Sequence, residues 1–144
     1  MTSALPAQLA DIRDEFLALD GNDRLQLLLK FANELPELPE RLRDHPGLSE
    51  RVEECQAPVF ITLELGDDGV HMFATAPREA PTTRGFASIL VQGVEGLSAE
   101  ELLAVPADFP QMLGLNDLVS PLRVRGMSGM LARAKRQIAA RSAA

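Results

Sequence analysis

Apolar residues near the amino terminus fall at Leu5, Leu9, Ile12, Phe16 and Leu19, a spacing that lays one stripe along a helix ending near Gly21. Leu25, Leu28, Leu29, Ala32 and Leu35 repeat the pattern and predict a second helix. Pro36 and Pro39 in "LPELPE" stop it, because proline has no amide to donate and crowds the preceding turn. Residues 36–51 then read as a polar connector with a short turn.

From residue 59 the period changes. "VFITLEL" alternates in the manner of a strand, "GDDG" at 66–69 is a turn, and "VHMFATA" resumes the extended pattern, which predicts an antiparallel hairpin over 59–65 and 70–76. A lone hairpin is marginal in water, so helices are expected against one face and a third strand just before Cys55. Thr82 or Thr83 is placed to cap a helix bearing Phe86, Ile89 and Leu90, and Ser98 with Glu101 is spaced as a capping box ahead of Leu102 and Leu103. Ser120 and Pro121 suit the cap and first position of a last helix, whose buried stripe is Met127, Leu131, Ala134 and Ile138. The expectation is an α+β single domain over 1–144: N-terminal helices, a small antiparallel sheet of about three strands, and C-terminal helices packed on one face. Residues 1–3 and 140–144 are expected to fray.

Composition narrows the function classes. With 144 residues, 46% of them hydrophobic, the chain suffices for one ordinary core. No apolar run approaches the ~18 residues of a membrane span. The start, "MTSALPAQLADIRDEF", turns acidic where a signal peptide needs basic and then apolar residues, so a cytoplasmic protein with no membrane association is expected. One cysteine cannot form an internal disulfide, and with two histidines at unrelated spacings it cannot complete a four-ligand zinc site, so no metal is expected. Residues 121–144 carry six basic and no acidic side chains, against 21 acidic and eight basic before them. Without interleaved aromatics, and on a chain of net charge −7, this basic segment argues against nucleic acid and reads as a solvated helix face that complements its own C-terminal dipole.

The chain's single thiol lies in "VEECQAPVFI", residues 52–61. Cys55 falls between the polar connector and the first hairpin strand, with Pro58 close behind, which places it at a loop end rather than in the core. Glu53 and Glu54 should raise its pKa above the ordinary value of about 8.5 and so reduce the nucleophilic thiolate. No histidine is near in sequence; His45 or His71 could approach only in space, and no motif supports Cys–His hydrolase chemistry. His71 is expected to face solvent on the hairpin without a chemical role. A weakly activated thiol suits a carrier whose partner supplies an already polarised sulfur.

The stretches "ELPELPERLR", "VEECQAPVFI" and "LGLNDLVSPLRVRGMSGMLARAK" together resemble the SufE family of sulfur acceptors, over nearly the entire chain. That family's loop pattern, Gly-Cys-x-Ser-x-Val-Trp, is matched by Cys55, Gln56 and Val59, with Phe60 in place of Trp. Its Leu-[Ser/Thr]-Pro-x-Arg-x-x-Gly-[Met/Leu] pattern is matched by Ser120, Pro121, Arg123, Gly126 and Met127, with Val119 in place of Leu. Glu54 replaces the family's Gly, and Ala57 and Pro58 replace a Ser and a polar residue; a loop that needed φ > 0 at 54 would have to bend differently or carry strain.

The resemblance implies that Cys55 takes persulfide sulfur from a pyridoxal-phosphate-dependent cysteine desulfurase of the SufS or CsdA type, stimulates that enzyme, and passes the sulfur to an Fe–S cluster scaffold. It further implies that Gln56 and Arg123 contact the partner, and that the protein is a stoichiometric carrier with no cofactor of its own, the pyridoxal phosphate belonging to the desulfurase. A monomer is expected. Arg123 has an alternative as an internal salt bridge holding the last helix on the acidic body, and Gly126 as a site of close helix packing. A non-accepting regulatory module that binds a desulfurase is the alternative function; a cluster scaffold is disfavoured, because one cysteine is too few ligands.

Overall fold

The computed structural model describes residues 5–143. Helices α1 (Ala7–Leu17) and α2 (Gly21–Glu34) come first, followed by a short α3 (Glu40–Arg43) and a 3-10 turn at Pro46–Leu48. Strands β1 (Glu50–Arg51), β2 (Phe60–Gly66) and β3 (Gly69–Thr75) form one antiparallel sheet in that order. Helices α4 (Pro81–Val94) and α5 (Ala99–Leu103), a 3-10 turn at Phe109–Leu113 and the long α6 (Pro121–Ser142) complete the chain. This is the α+β single domain expected from the pattern. The expected fraying of residues 1–3 lies outside the described residues, and α6 runs through Ser142.

The hairpin register pairs Phe60 with Thr75 through to Gly66 with Gly69, one residue displaced at each end from the predicted strands. Alternation then turns Ile61, Leu63, Val70, Met72 and Ala74 into the core, where α4 packs on β3 and α6 on β2. The third strand is where it was expected, but only two residues long, pairing Glu50 with Ile61 and Arg51 with Phe60. Beyond it the Leu63 amide has no strand to meet, and Gln137 of α6 accepts it at 2.9 Å.

Helix α2 lies along α4, and the Leu28 carbonyl oxygen comes within 2.6 Å of where a Cβ at Gly85 would stand, so only glycine allows this approach. Phe16 and Phe31 stack at 5.9 Å across the first two helices. In α2 the buried face runs through Leu28, Phe31 and Ala32, leaving Leu29 exposed, contrary to the predicted stripe. Neither Thr82 nor Thr83 caps α4: Pro81 takes the first helical position with Ala80 before it, so both threonines already lie inside the first turn. The Ser98–Glu101 capping box and the Ser120 cap of α6 are both formed.

Candidate functional site

Between β1 and β2 the chain makes a short loop closed at its base by the Val52 amide donating to the Val59 carbonyl at 2.9 Å. Inside it, the Cys55 amide donates to the Val52 carbonyl at 3.1 Å, a tight turn that points the side chain toward α6. The thiol is thus on a loop, as expected, but it is not open to solvent: Cys55 is 7% exposed and belongs to the hydrophobic core. The reason is Gly126 on α6, where an added Cβ would stand 2.9 Å from Sγ. Two glutamates beside a cysteine suggest a wet position, whereas a glycine far along the chain decides that the sulfur is covered.

Burial pushes the Cys55 thiol up to about 11, the Glu54 carboxylate adds to the shift, and Arg133 and Arg51 oppose it. At neutral pH the resting group is therefore a neutral thiol. The sequence expectation of a raised pKa holds in direction, with desolvation rather than glutamate charge as the larger cause.

Beside the sulfur lies a cleft of about 220 Å³, lined among others by Gln56, Glu79, Thr83, Leu122, Arg123 and Gly126. The three residues singled out from the sequence, Cys55, Gln56 and Arg123, meet in this cleft. Gln56 and Arg123 are exposed, and Arg123, on the first turn of α6, takes part in no ion pair among the described residues. Its alternative as an internal salt bridge therefore falls away. Glu79 and Thr83 were not legible, because only the fold brings the β3–α4 connection and the first turn of α4 beside the thiol loop.

The basic face of α6 is less solvated than its composition suggests. Arg133 donates through Nε to Glu54 Oε1 at 3.0 Å and through Nη1 to Glu50 Oε2 at 2.8 Å. Glu50 also accepts from Arg136 and, at 2.9 Å, from Gln137 Nε2. Burial would raise the Glu50 pKa, but hydrogen bonds from Gln137, Arg133 and Arg136 outweigh it and hold the carboxyl below its ordinary value. Glu54 is lowered too, by a hydrogen bond from its own backbone amide and by Arg133. Lys135 turns to the Val105 carbonyl, and its burial lowers its pKa. The replacement of glycine by Glu54 introduces no left-handed backbone, since every positive φ among the described residues belongs to glycine. The loop bends differently instead of carrying strain there.

Neither histidine reaches the thiol cleft. His71, expected to face solvent, is three-quarters covered, with Nδ1 2.7 Å from Glu95 Oε2 and Nε2 2.8 Å from Asp68 Oδ1. Among the described residues no cluster of three or more His, Cys, Asp or Glu side chains could hold a metal ion, and no helix is long and apolar enough to cross a membrane.

A three-stranded sheet carrying one covered thiol on a loop, sealed by the last helix, defines a small α+β domain built around a single sulfur. The family model for SufE, the Fe–S metabolism associated domain, matches residues 10–138, and the chain belongs to that family. An uncharacterized SufE-like protein of Mycobacterium tuberculosis is 51% identical over 137 residues, covering 94% of each chain. The sulfur acceptor protein CsdE of Escherichia coli is 27% identical over 122 residues, covering 83% of this chain and 80% of its own. The solution structure of a hypothetical protein from Thermus thermophilus superposes with a TM-score of 0.85 at 34% identity, covering 98% of this chain and all of that one.

Proposed function

We propose that this protein accepts sulfur on Cys55 from the persulfide of a pyridoxal-phosphate-dependent cysteine desulfurase, stimulates that enzyme by clearing its thiol, and delivers the sulfur to an Fe–S cluster scaffold. The observation that carries the reading is the convergence in a single cleft of the chain's one thiol, Gln56, and Arg123, which makes no ion pair among the described residues. Membership of a family associated with Fe–S metabolism and the likeness to a named sulfur acceptor support it.

The chemistry is a thiol–persulfide exchange. Cys55 gives up its proton, and the thiolate attacks the outer sulfur of the donor's persulfide; a new S–S bond forms at Cys55 as the donor's S–S bond breaks, and the donor sulfur leaves as thiolate. No net oxidation or reduction occurs. The proton is hard to lose at rest, where the pKa is about 11, and becomes easier to lose once the loop leaves the core and the desolvation cost disappears. A sheltered thiol suits a shuttle, because a persulfide held there is shielded from thiols that would discharge it. Having a single cysteine removes the intramolecular route to that same loss.

Arg123 is free to form a bidentate pair with a partner carboxylate, a geometry lysine lacks. Gln56, one residue from the sulfur, contacts the same partner. The protein acts as a monomeric, cytoplasmic, stoichiometric carrier that needs no cofactor of its own.

A second reading, a regulator that docks on the desulfurase without accepting sulfur, draws on the raised Cys55 pKa and on the carboxylate beside it. The two separate on one variant. With Cys55→Ser, a carrier loses its stimulation of desulfurase turnover and a regulator keeps it.

A further inference from the structure

Residues 50–55 lie antiparallel along one stripe of α6, and the two ends of this segment are held in different ways. At the start, Glu50 is in a ladder with Ile61 and accepts from three α6 side chains, Arg133, Arg136 and Gln137. At the other end, Glu54 has one cationic partner on α6, Arg133, which reaches it through Nε at 3.0 Å and Nη2 at 2.9 Å. Glycines make the seat: a Cβ at Gly129 would stand 2.6 Å from Glu54 Cδ, and one at Gly126 would stand 2.9 Å from Cys55 Sγ. Gly126, Gly129 and Arg133 follow at i, i+3 and i+7, so one helix face receives the sulfur, the Glu54 stem and the Glu54 charge in turn.

We propose that the Glu54–Arg133 ion pair is an electrostatic latch on the thiol loop: it holds residues 53–58 against α6 while Glu50 serves as the fixed hinge, and its release exposes Cys55. This deepens the reading of Cys55 as the reacting thiol by naming what controls access to it. The pair is partly open to water, with Glu54 36% and Arg133 22% exposed, so ions and a partner's charges reach it directly. Arg133 does not lose its place when the latch opens, because Glu50 still holds it. The glycine this position carries in the matching family pattern could form no such pair, so the latch belongs to chains with an acid here.

The test uses the free, full-length protein and needs no sulfur donor. Amide hydrogen exchange at residues 53–57 and alkylation of Cys55 by iodoacetamide, corrected for thiolate fraction through a pH–rate profile, are measured for wild type and Glu54→Gln in low and high salt. The latch predicts that Glu54→Gln speeds both about two- to fivefold, the range for one partly exposed ion pair, while exchange in β1 and β2 stays unchanged. It also predicts that raising salt from about 0.05 M to 1 M speeds the wild type but not Glu54→Gln. Equal loop exchange in the two proteins, or acceleration that spreads equally through β1 and β2, overturns the proposal. Because desulfurase and sulfur are absent, these outcomes do not depend on whether Cys55 accepts sulfur, which the Cys55→Ser turnover assay decides separately.

Discussion

The sheet ends in two loops of opposite construction. At the hairpin tip, Gly66 pairs with Gly69 across a tight turn, the Val70 amide donates to the Leu97 carbonyl, and the Gly96 amide donates to the Val70 carbonyl, so backbone hydrogen bonds fix the tip to the α4–α5 connection. The thiol loop has two backbone bonds, both within itself, from the Val52 amide to the Val59 carbonyl and from the Cys55 amide to the Val52 carbonyl, and is seated on α6 by side chains: Cys55 on Gly126, and Glu54 on Gly129 and Arg133. Backbone bonds tie a loop to global unfolding, whereas side-chain contacts can be exchanged for a partner's. The loop that the proposed sulfur transfer requires to move is the one held by exchangeable contacts.

Substitutions should expose this contrast. The largest effect is expected from Gly69→Ala, because φ is +109° there and the new Cβ would meet the Gly96 carbonyl oxygen at 2.6 Å. Strain and overlap together should cost about 3 kcal/mol and lower Tm by roughly 10 °C in a thermal melt. An unchanged Tm would mean that the tip is not fixed by its backbone.

Next comes the thiol itself. Folding raises the Cys55 pKa from the ordinary cysteine value to about 11, so the neutral thiol's contribution is complete below that ordinary value and is lost as pH climbs through 11. The stability difference between wild type and Cys55→Ser, followed by denaturant melts, should shrink by on the order of 2 kcal/mol across that window. A flat difference would show that the sulfur is hydrated at rest.

Gly129→Ala should behave unlike Gly69→Ala. The added methyl displaces Glu54, but alanine also favours a helix interior over glycine by about 1 kcal/mol, so global stability should change by less than about 1 kcal/mol. Iodoacetamide should nonetheless reach Cys55 faster. A large fall in Tm with no gain in alkylation would reverse the assignment of the two loops.

The smallest effect belongs to His71. Hydrogen bonds to Asp68 and then to Glu95 raise its pKa above 6.5, so its ionic contribution is present below pH 6.5 and fades as pH rises through the folded value. With exposed partners, His71→Gln should remove a pH-dependent Tm change of no more than about 2 °C.

What the sequence revealed follows a physical division. The helices, the hairpin, the capping box and the Ser120–Pro121 start were legible because they are written in local periodicity and in residues three apart. The meeting of Cys55 with Gln56 and Arg123 was legible only through the family resemblance, since spacing alone cannot bring position 123 beside position 55. The cover over the thiol and the Glu54–Arg133 pair were not legible, because both depend on α6 crossing β2. The basic segment looked like a solvated face by composition, yet Arg133 and Arg136 are committed to Glu50 and Glu54. The stripe Gly126, Gly129, Arg133 was readable as one helix face, but nothing local named its occupant. The absence of a threonine cap on α4 has a local cause: Pro81 sits just ahead of both threonines and claims the first helical position.

The most direct test of the central claim is intact-mass analysis of the protein after incubation with a cysteine desulfurase and free cysteine. A carrier gains the mass of one sulfur atom, loses it on treatment with reductant, and shows no gain as Cys55→Ser. A wild-type mass that stays unchanged while the desulfurase turns over, or a gain that persists in Cys55→Ser, would contradict the account.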